Sequence, residues 1–430
     1  MPSAHSVPSA GACAERTHDL DTSTSQVTTM PTSGAPGQAF EARAMSISDV
    51  DERFIEQWLA LEARSLEANA YLSPHFVLPV LRHLERSGHV SLIAIFASDG
   101  GDPRLVGLGV FRLTPGNRRF PLTHLSALGS IHSYLSGLLV DARLAEPVLE
   151  AFFGFLTRPG VRWRGVAFTD WRADGPLGQA MLRAAARAGA RWHKDYGFQR
   201  ATLIPGRLEG RSFESALGRC SGKSWRKKVQ RMVDHGEVQW RFLSGQACDA
   251  AAVERFLVLE DRGWAREEGS SLKAAGHDDL FRELCQGFSR DGRLFFTELL
   301  LGGEVIASTS NFISGGAGFA FKIGWNSAFA SLRPGLLNEV LFLREARELC
   351  AGLAYFDSGT GPGSYMEAFW DDRVTLESGV FATSRLGRVA ARSWDGLRWV
   401  RRSLLDLVGR WRPGRSRHGA GVEGGGHQGG

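Results

Sequence analysis

The residues best suited to chemistry lie in the segment 315–370. A strand ending in Gly-Trp-Asn is followed by a loop and by a helix that begins at Leu336, with Arg333, Pro334 and Gly335 just before it. Unpaired backbone N–H groups at a helix N-terminus bind phosphate oxygens, and a glycine there lets the phosphate come close. An arginine adds a cation that pairs with it. The pattern therefore predicts a phosphate-binding loop, although many helices begin after Pro-Gly without a ligand.

Two further side chains follow the next predicted strand, residues 354–359. Asp357 lies near the end of this strand, and Tyr365 follows in the sequence GPGSYMEAFWDD. Beside an acyl donor, a carboxylate can take a proton from an attacking amine or hydroxyl, and a phenol can protonate a departing thiolate. The same residues also fit an ordinary turn and a packing tyrosine, so both interpretations stay open at this point.

Alternating helices and strands must position these residues. The apolar spacing predicts helices in two sets, at 54–61, 76–84, 144–158 and 177–189, and then at 221–236, 249–268, 277–292 and 336–350. Strands are predicted between them at 91–96, 105–113, 165–171 and 201–205, and then at 238–243, 294–314 as a hairpin, 315–326 and 354–359. Such alternation predicts an α/β fold with a mixed (α+β) sheet. The two halves share this order without an evident residue-by-residue repeat, so a duplication stays open.

Composition divides the 430 residues into five parts. Residues 1–45 are rich in Ser, Thr, Pro, Gly and Ala, which predicts a disordered N-terminal tail because such a segment buries too little apolar surface. Two domains are expected at 46–205 and 206–383, since one core rarely extends over so long a chain. Residues 384–412 predict a basic amphipathic helix, and residues 413–430 a flexible Gly-rich tail.

The positive charge is concentrated at the C-terminus. Residues 384–430 hold ten arginines against three acidic residues, a charge of +7 in a chain whose total is +5. The remaining residues therefore carry about −2, which argues against sequence-specific binding of nucleic acid by the enzyme body. The helix 384–412 is expected to pack on the second domain, with peripheral contact to an anionic membrane surface as the alternative.

The remaining bulk features predict a cytoplasmic protein. No apolar run reaches bilayer-spanning length, and the N-terminus lacks the pattern of an export signal. The protein would lie at the inner face of the membrane if the basic helix binds lipid. Five scattered cysteines predict reduced, packed thiols, and the twelve histidines lack metal-ligand spacing, so no metal site is predicted.

Four stretches of the second half resemble the acetyltransferase domain of the CelD-like family, which is associated with cellulose synthesis and has the fold of the GNAT superfamily of N-acetyltransferases. They are KSWRKKVQRMVDHGEV (223–238), LEDRGWAREEGSSL (259–272), the Arg-Pro-Gly-Leu-Leu loop (333–337) and FDSGTGPGSYMEAFWDD (356–372). In the first half, LSALGSIHSYLSGLLVD (125–141) is similar to another segment of that family. The resemblance covers about residues 48–383 and implies tandem GNAT-like domains, the first of them degenerate.

The resemblance implies an enzyme that transfers an acyl group directly from acetyl-CoA or another acyl-CoA. The implied cofactor-binding residues are Arg333, Pro334, Gly335, Leu336 and Leu337 of the loop, with Ile323 and Gly324 of the preceding strand. Backbone N–H groups of that strand would stabilise the oxyanion, and Tyr365 would protonate the thiolate. Asp357 would act as base or acceptor contact. The implied acceptor-pocket residues are Glu260, Trp264 and Lys322, although Glu260 also fits a helix face.

Two departures from the family pattern affect the acceptor. The lysine that follows the motif tyrosine in the family is Met366 here, and the loop lacks the extra glycines of many GNAT enzymes. The expected acceptor is an amine or hydroxyl of a small molecule or of a polysaccharide-related compound. Two alternatives stay open: a FemAB-like aminoacyl transferase that uses aminoacyl-tRNA, and a non-catalytic GNAT-fold scaffold in exopolysaccharide assembly.

Overall fold

The computed structural model describes residues 28–30, 38–85, 89–208, 223–263 and 271–393. The described helices are α1 (Glu52–Ala63), α2 (Pro74–His83), α3 (Ala145–Thr157), α4 (Pro176–Arg187), α5 (Lys223–His235), α6 (Ala250–Asp261), α7 (Asp278–Arg290), α8 (Pro334–Leu349) and α9 (385–393). The described strands are β1 (Thr28–Met30), β2 (Ala39–Ser46), β3 (Val90–Ser98), β4 (Arg104–Thr114), β5 (His124–Ala127), β6 (Leu139–Val140), β7 (Gly165–Arg172), β8 (Arg191–Leu203), β9 (Val238–Ser244), β10 (Leu294–Leu301), β11 (Glu304–Ser314), β12 (Ala317–Trp325), β13 (Phe356–Asp357) and β14 (Asp372–Ala382).

The fourteen described strands form one mixed sheet. Their order is β1-β2-β3-β4-β5-β7-β14-β8-β13-β12-β11-β10-β9, and β6 pairs with β4. Two of the described pairs, β5 with β7 and β12 with β13, are parallel, and the others are antiparallel. Helices pack against this sheet through large apolar clusters. The predicted α/β architecture with a mixed sheet is confirmed.

The two halves of the chain repeat one structural unit. Each half contains two helices, an antiparallel hairpin, a third strand, a helix, and a strand parallel to the third. The first helices, α1 and α6, both have 12 residues and begin after an aspartate cap, Asp51 or Asp249. Both also end at an arginine, Arg64 or Arg262, whose N–H bonds the last turn. The tandem arrangement is therefore present in the structure.

The correspondence of α1 with α6 reveals a residue-level repeat that inspection of the sequence missed. WLALEAR (58–64) corresponds to FLVLEDR (256–262), so Glu62 and Glu260 are equivalent. Both are buried, at 1% and 4% exposure. Glu62 accepts hydrogen bonds from Arg293 at 2.6 Å and from Ser314 at 2.5 Å. The first-half glutamate thus connects the halves, while its second-half counterpart lies at the candidate site described below.

Strand β14 joins the halves more tightly than the predicted domain plan suggests. It lies between β7 and β8 and pairs with both. Its Phe381 is fully buried among aromatic residues of the first half, including Phe153, Trp171 and Trp192. The boundary between residues 205 and 206 stays a prediction, and the sheet runs without a break from one half to the other through β14, β8 and β13.

The N-terminal prediction is wrong for residues 39–45. These residues form most of β2, which pairs with β3 along its length. The reason is a period-two pattern: Phe40 and Ala42 are buried, whereas Glu41 and Arg43 on the other face form an ion pair at 2.5 Å. The polar composition of the flanking sequence hid this short alternation. The predictions for residues 1–27 and 31–37 lie outside the described residues.

Helix α9 is the described part of the predicted basic helix 384–412. Its Ala391 packs with Phe120 and Val380, and Gly387 lies directly against the carbonyl of Arg164. Most of these contacts belong to the first half, so the predicted packing on the second domain is wrong for this part. Predictions for residues 394–430 lie outside the described residues. None of the described helices is both long and apolar enough to cross a bilayer.

Candidate active site

The site begins where β12 and β13 separate. Their pairing consists of Gly318 with Phe356 and Phe319 with Asp357, while β12 continues to Trp325. On its other edge β12 carries an irregularity after Ala320, where one extra residue enters the ladder with β11. A bulge of this kind bends a strand and increases its twist. Beyond the two residue pairs, β12 has no strand partner on its β13 side within the described residues, and we call this unpaired edge the gap.

The N-terminus of α8 lies beside this gap without a side-chain cap. Arg333 precedes the helix in a left-handed conformation (φ 52°, ψ 57°), and Pro334 occupies its first turn. The N–H of Leu337 bonds the carbonyl of Arg333 at 3.2 Å, and no side chain caps the helix. Gly335 and Leu336 lie before Leu337 in this first turn. Their N–H groups are therefore the ones suited to bind an anion.

Because Gly335 has no side chain, α8 can lie close to β12. A Cβ atom there would lie 3.1 Å from Ile323 Cδ1 and 3.2 Å from Trp325 Cδ1. Gly335 of the predicted loop therefore lies directly beside Ile323 of β12. Leu337 is different, because its side chain is buried in the core beneath α8 and its N–H is already bonded.

A buried polar contact holds the first turns of α8 on the sheet. Asn338 is fully buried, accepts a hydrogen bond from Trp240 Nε1 at 2.9 Å and donates to Thr297 Oγ1 at 2.8 Å. Buried amides lose free energy when unpaired, so this bridge favours one position of the helix. Asn338 follows Gly335 by three residues, and the bridge therefore fixes the first turn of α8.

The opposite side of β12 faces α6. A Cβ atom at Gly324 would lie 2.7 Å from the backbone nitrogen of Glu260, so α6 rests directly on the strand. Glu260 Oε2 accepts a hydrogen bond from the N–H of Leu272 at 3.0 Å. Burial raises the pKa of Glu260, and this effect exceeds the opposing influence of Lys322. The predicted residues Glu260, Gly324 and Lys322 are therefore neighbours, while Trp264 lies outside the described residues.

The first half contributes two side chains that sequence reasoning did not select. The Tyr134 ring lies 5.6 Å from Lys322 Nζ, and His132 Nε2 lies 3.0 Å from Nδ1 of His277. Burial, Lys322 and His277 together lower the pKa of His132 to about 3, so its ring is neutral at pH 7. Nδ1 of His132 is buried and has no hydrogen-bond partner in the described part of the chain. Both residues lie in the family-like stretch 125–141, which was the available signal.

Asp357 is held by its surroundings. Its Oδ1 accepts a hydrogen bond from the N–H of Gly359 at 2.7 Å and lies 3.5 Å from the guanidinium of Arg200. Arg200 is equally buried and also donates to the carbonyls of Tyr134 and Thr360. These contacts fix the carboxylate in one orientation at the turn that follows β13. This geometry favours the turn interpretation, in which Asp357 positions the end of β13.

Tyr365 lies near α8, apart from the surroundings of Asp357. Its side chain is 47% exposed, but the pKa of its phenol is raised because its hydroxyl is poorly hydrated and lies near Glu339 of α8. Burial raises the pKa of Glu339 itself to about 7. The charged neighbour of Tyr365 is therefore Glu339 of α8, whereas that of Asp357 is Arg200 of β8. Met366, in the place of the family lysine, is buried in the core beneath α8.

The architecture and the second half define the class of protein. The repeated α/β unit has in its second half two parallel strands that are connected by an uncapped helix. Residues 222–367 of this half match the family model described as an acetyltransferase (GNAT) domain. The match covers about a third of the chain, and it identifies a GNAT-type acyltransferase domain in the second half. No curated protein sequence matches the chain.

Three solved structures are similar to this chain over most of its length. FemX is 11% identical, with 79% of this chain and 96% of that chain covered and a TM-score of 0.49. L-PGS from Bacillus licheniformis is 13% identical over 80% and 96% of the two chains, with a TM-score of 0.45. The tandem GNAT protein from the clavulanic acid biosynthesis pathway is 15% identical over 80% and 97%, with a TM-score of 0.38. These values are too low to carry a functional inference.

Proposed function

We propose that the protein transfers an acyl group, acetyl in the simplest case, from an acyl-CoA to an amine or hydroxyl of a small-molecule or saccharide acceptor. The observation that carries the proposal is the uncapped N-terminus of α8 beside the gap between β12 and β13. Coenzyme A needs an anion site for its pyrophosphate and a slot for its extended arm, and these two features fit that need.

The donor side would use the backbone more than side chains. N–H groups of Gly335 and Leu336 would bind pyrophosphate oxygens, assisted by the exposed guanidinium of Arg333. The N–H of Ile323 would stabilise the oxyanion at the thioester. Neighbouring N–H groups of a strand alternate between its edges, and the N–H of Asn326 bonds Ile306 of β11, so the N–H of Gly324 faces β11 and that of Ile323 faces the other edge. Tyr365 would give its proton to the departing thiolate, because its raised pKa keeps the phenol protonated.

The acceptor side would lie between α6, β12 and the first-half loop. Glu260 is the base that this geometry favours, since burial raises the pKa of its carboxyl, whereas the carboxylate of Asp357 is engaged by Arg200 and the N–H of Gly359. The acceptor nitrogen or oxygen would attack the thioester carbonyl and lose its proton to Glu260. Collapse of the adduct would break the carbon–sulfur bond, with the proton of Tyr365 passing to sulfur. Lys322 and His132 would bind polar groups of the acceptor.

Calorimetric titration of the full chain with acetyl-CoA tests the donor side. Gly335→Glu should abolish binding, because the new side chain would meet Ile323 and Trp325 and place a negative charge at the anion site. Gly352→Glu is the matched control, since a Cβ atom there meets nothing within 4 Å. We expect wild type and the control to bind acetyl-CoA in the micromolar range, roughly −8 kcal/mol.

The same titration separates the alternatives. Failure of wild type to bind either acetyl-CoA or CoA contradicts the acyl-CoA proposal and favours an aminoacyl-tRNA donor or a non-catalytic scaffold. The polysaccharide-related acceptor, suggested by the CelD-like resemblance, is a finer part of the proposal. It is tested by thiol release from acetyl-CoA in the presence of amino sugars, with amino acids as the competing class.

A further inference from the structure

Three chain segments that are distant in sequence meet at one surface of the first half. They are residues 115–123, 158–165 and 383–393. The N–H of Arg164 bonds the carbonyl of Thr123 at 2.8 Å, and the N–H of Thr383 bonds the carbonyl of Arg164 at 3.0 Å. Phe120 and Ala391 share one buried cluster. We name this region the arginine surface.

The charged side chains of the arginine surface are all positive. Its three segments contain eight arginines and no aspartate or glutamate. The exposed arginines among them are Arg118, Arg119, Arg162, Arg385 and Arg392. An excess of cations from three separate segments attracts a polyanion or an anionic surface.

Apolar side chains stand within this basic surface. Leu386 and Val389 of α9 are 66% and 62% exposed, among the highest values for large apolar residues in the described part of the chain. They are three residues apart and so share one face of the helix, with Arg385, Arg388 and Arg392 around them. The other face of α9 packs on the protein through Gly387 and Ala391. A helix anchored in this way presents leucine and valine to the solvent.

We propose that the arginine surface binds the anionic surface of a lipid bilayer. Exposed arginines would interact with lipid phosphates, while Leu386 and Val389 would enter the boundary between headgroups and acyl chains. Nucleic acid would satisfy the cations but would leave these two apolar side chains in water. The proposal rests on described residues alone and is independent of the chemistry proposed for the candidate site.

Co-sedimentation of the full chain with vesicles tests this proposal. The protein should bind mixed phosphatidylcholine–phosphatidylglycerol vesicles, less so at high salt, and should not bind pure phosphatidylcholine vesicles. The triple variant Arg118→Gln, Arg119→Gln, Arg385→Gln should lower the partition coefficient roughly a hundredfold at low salt, since each basic residue near the surface contributes about fivefold. The control Arg53→Gln, Arg231→Gln, Arg290→Gln removes the same charge from exposed positions elsewhere.

A second pair of variants tests the apolar contribution. Leu386→Gln with Val389→Gln should weaken vesicle binding about tenfold or more, because insertion of these side chains is lost while helix propensity is kept. Val233→Gln with Leu349→Gln is the control, since both side chains are exposed on other helices. Far-ultraviolet circular dichroism and thermal unfolding of all variants should match wild type.

Several results would overturn the proposal. It fails if wild type does not bind the mixed vesicles, or if the control variants lose as much binding as the designed ones. It fails equally if neither designed variant weakens binding, because the contact then lies elsewhere in the chain. Binding of a labelled RNA duplex that is unaffected by Leu386→Gln and Val389→Gln, without binding to vesicles, would assign the surface to nucleic acid.

Discussion

Tyr365 lies on the α8 side of the sheet, with its hydroxyl near the buried Glu339. Tyr365→Phe removes the proton donor without changing the ring, so we expect acetyl-CoA cleavage to slow by about one to two orders of magnitude. Tyr196→Phe, at an exposed tyrosine on β8, is the control. Thiol release in single-turnover experiments gives the rate of this step. An unchanged rate would assign thiolate protonation to another group.

Glu260 offers a second test at the scale of one side chain. If it is the base, kcat/KM of wild type rises with pH as its carboxyl, whose pKa is raised by burial, loses its proton. Glu260→Gln should lower kcat by about a hundredfold to ten-thousandfold and remove this acidic limb of the pH profile. Glu254→Gln on the same helix is the control, because that carboxylate is exposed and pairs with Arg282. A retained acidic limb in Glu260→Gln would exclude it as the base.

The sequence predicted the role of a candidate residue best where the residues that contact it are close in sequence. The loop 333–336 follows from residue types and order alone, because a helix N-terminus is defined by adjacent residues. Asp357 could not be interpreted in this way, since its role depends on Arg200 of β8, which is distant in sequence. His132 and Tyr134 were missed for the same reason, because they meet Lys322 and His277 only after the two halves pack.

Glu339 of α8 is a buried titratable group that makes the stability of the folded protein depend on pH. Glu339 is buried, and its pKa rises from an ordinary 4.5 to about 7. The folded state therefore holds this proton more tightly than the unfolded state. The resulting stabilisation is complete below about pH 4.5 and is lost as the pH rises through about 7.

Glu339→Gln removes this titration and keeps the side-chain volume. We expect the variant to be more stable than wild type by about 1–3 kcal/mol at pH 8 and no more stable at pH 4.5. Urea unfolding across this pH range provides the measurement. Glu348→Gln, an exposed position on the same helix, should show no such difference. An equal pH dependence in wild type and Glu339→Gln would mean that Glu339 stays ionised when buried.

At the scale of elements, the sequence predicted helices better than strands. The period of α1, α3, α4 and α7 is visible within each segment, and their ends agree with the structure to within a few residues. Strand β13 is shorter than expected and β14 was missed altogether. A strand is stabilised by its neighbours, and those of β14 are β7 and β8, which precede it by more than a complete structural unit.

At the scale of the whole molecule, a buried ion pair connects the halves. Arg293, at the start of β10, donates to Glu62 of α1 at 2.6 Å, and the carboxylate is fully buried. Arg293→Met should lower the free energy of unfolding by about 3–5 kcal/mol, because a buried charge is left without its partner. Urea denaturation should show one transition for both halves.

Two comparisons make this last prediction specific. Arg290→Met, at an exposed position on α7, should have little effect. Adding Glu62→Gln to Arg293→Met should restore about 1 kcal/mol or more, since the unpaired charge is then removed. Additive losses in the double variant, or two separate transitions in wild type, would contradict the structural connection between the halves.

The position of β14 has a consequence for synthesis on the ribosome. Strand β7 ends at Arg172, but the strand that covers its edge begins at Asp372. At roughly 5–20 residues per second, the nascent chain waits about 10–40 s before that edge can be paired. During this interval Phe168 and Trp171 lack the contact with Phe381 that covers them in the finished protein. Until the second half has emerged, the first half therefore exposes an unpaired strand edge and apolar surface, which are features that chaperones bind. A fragment that stops near residue 205 keeps this edge unpaired.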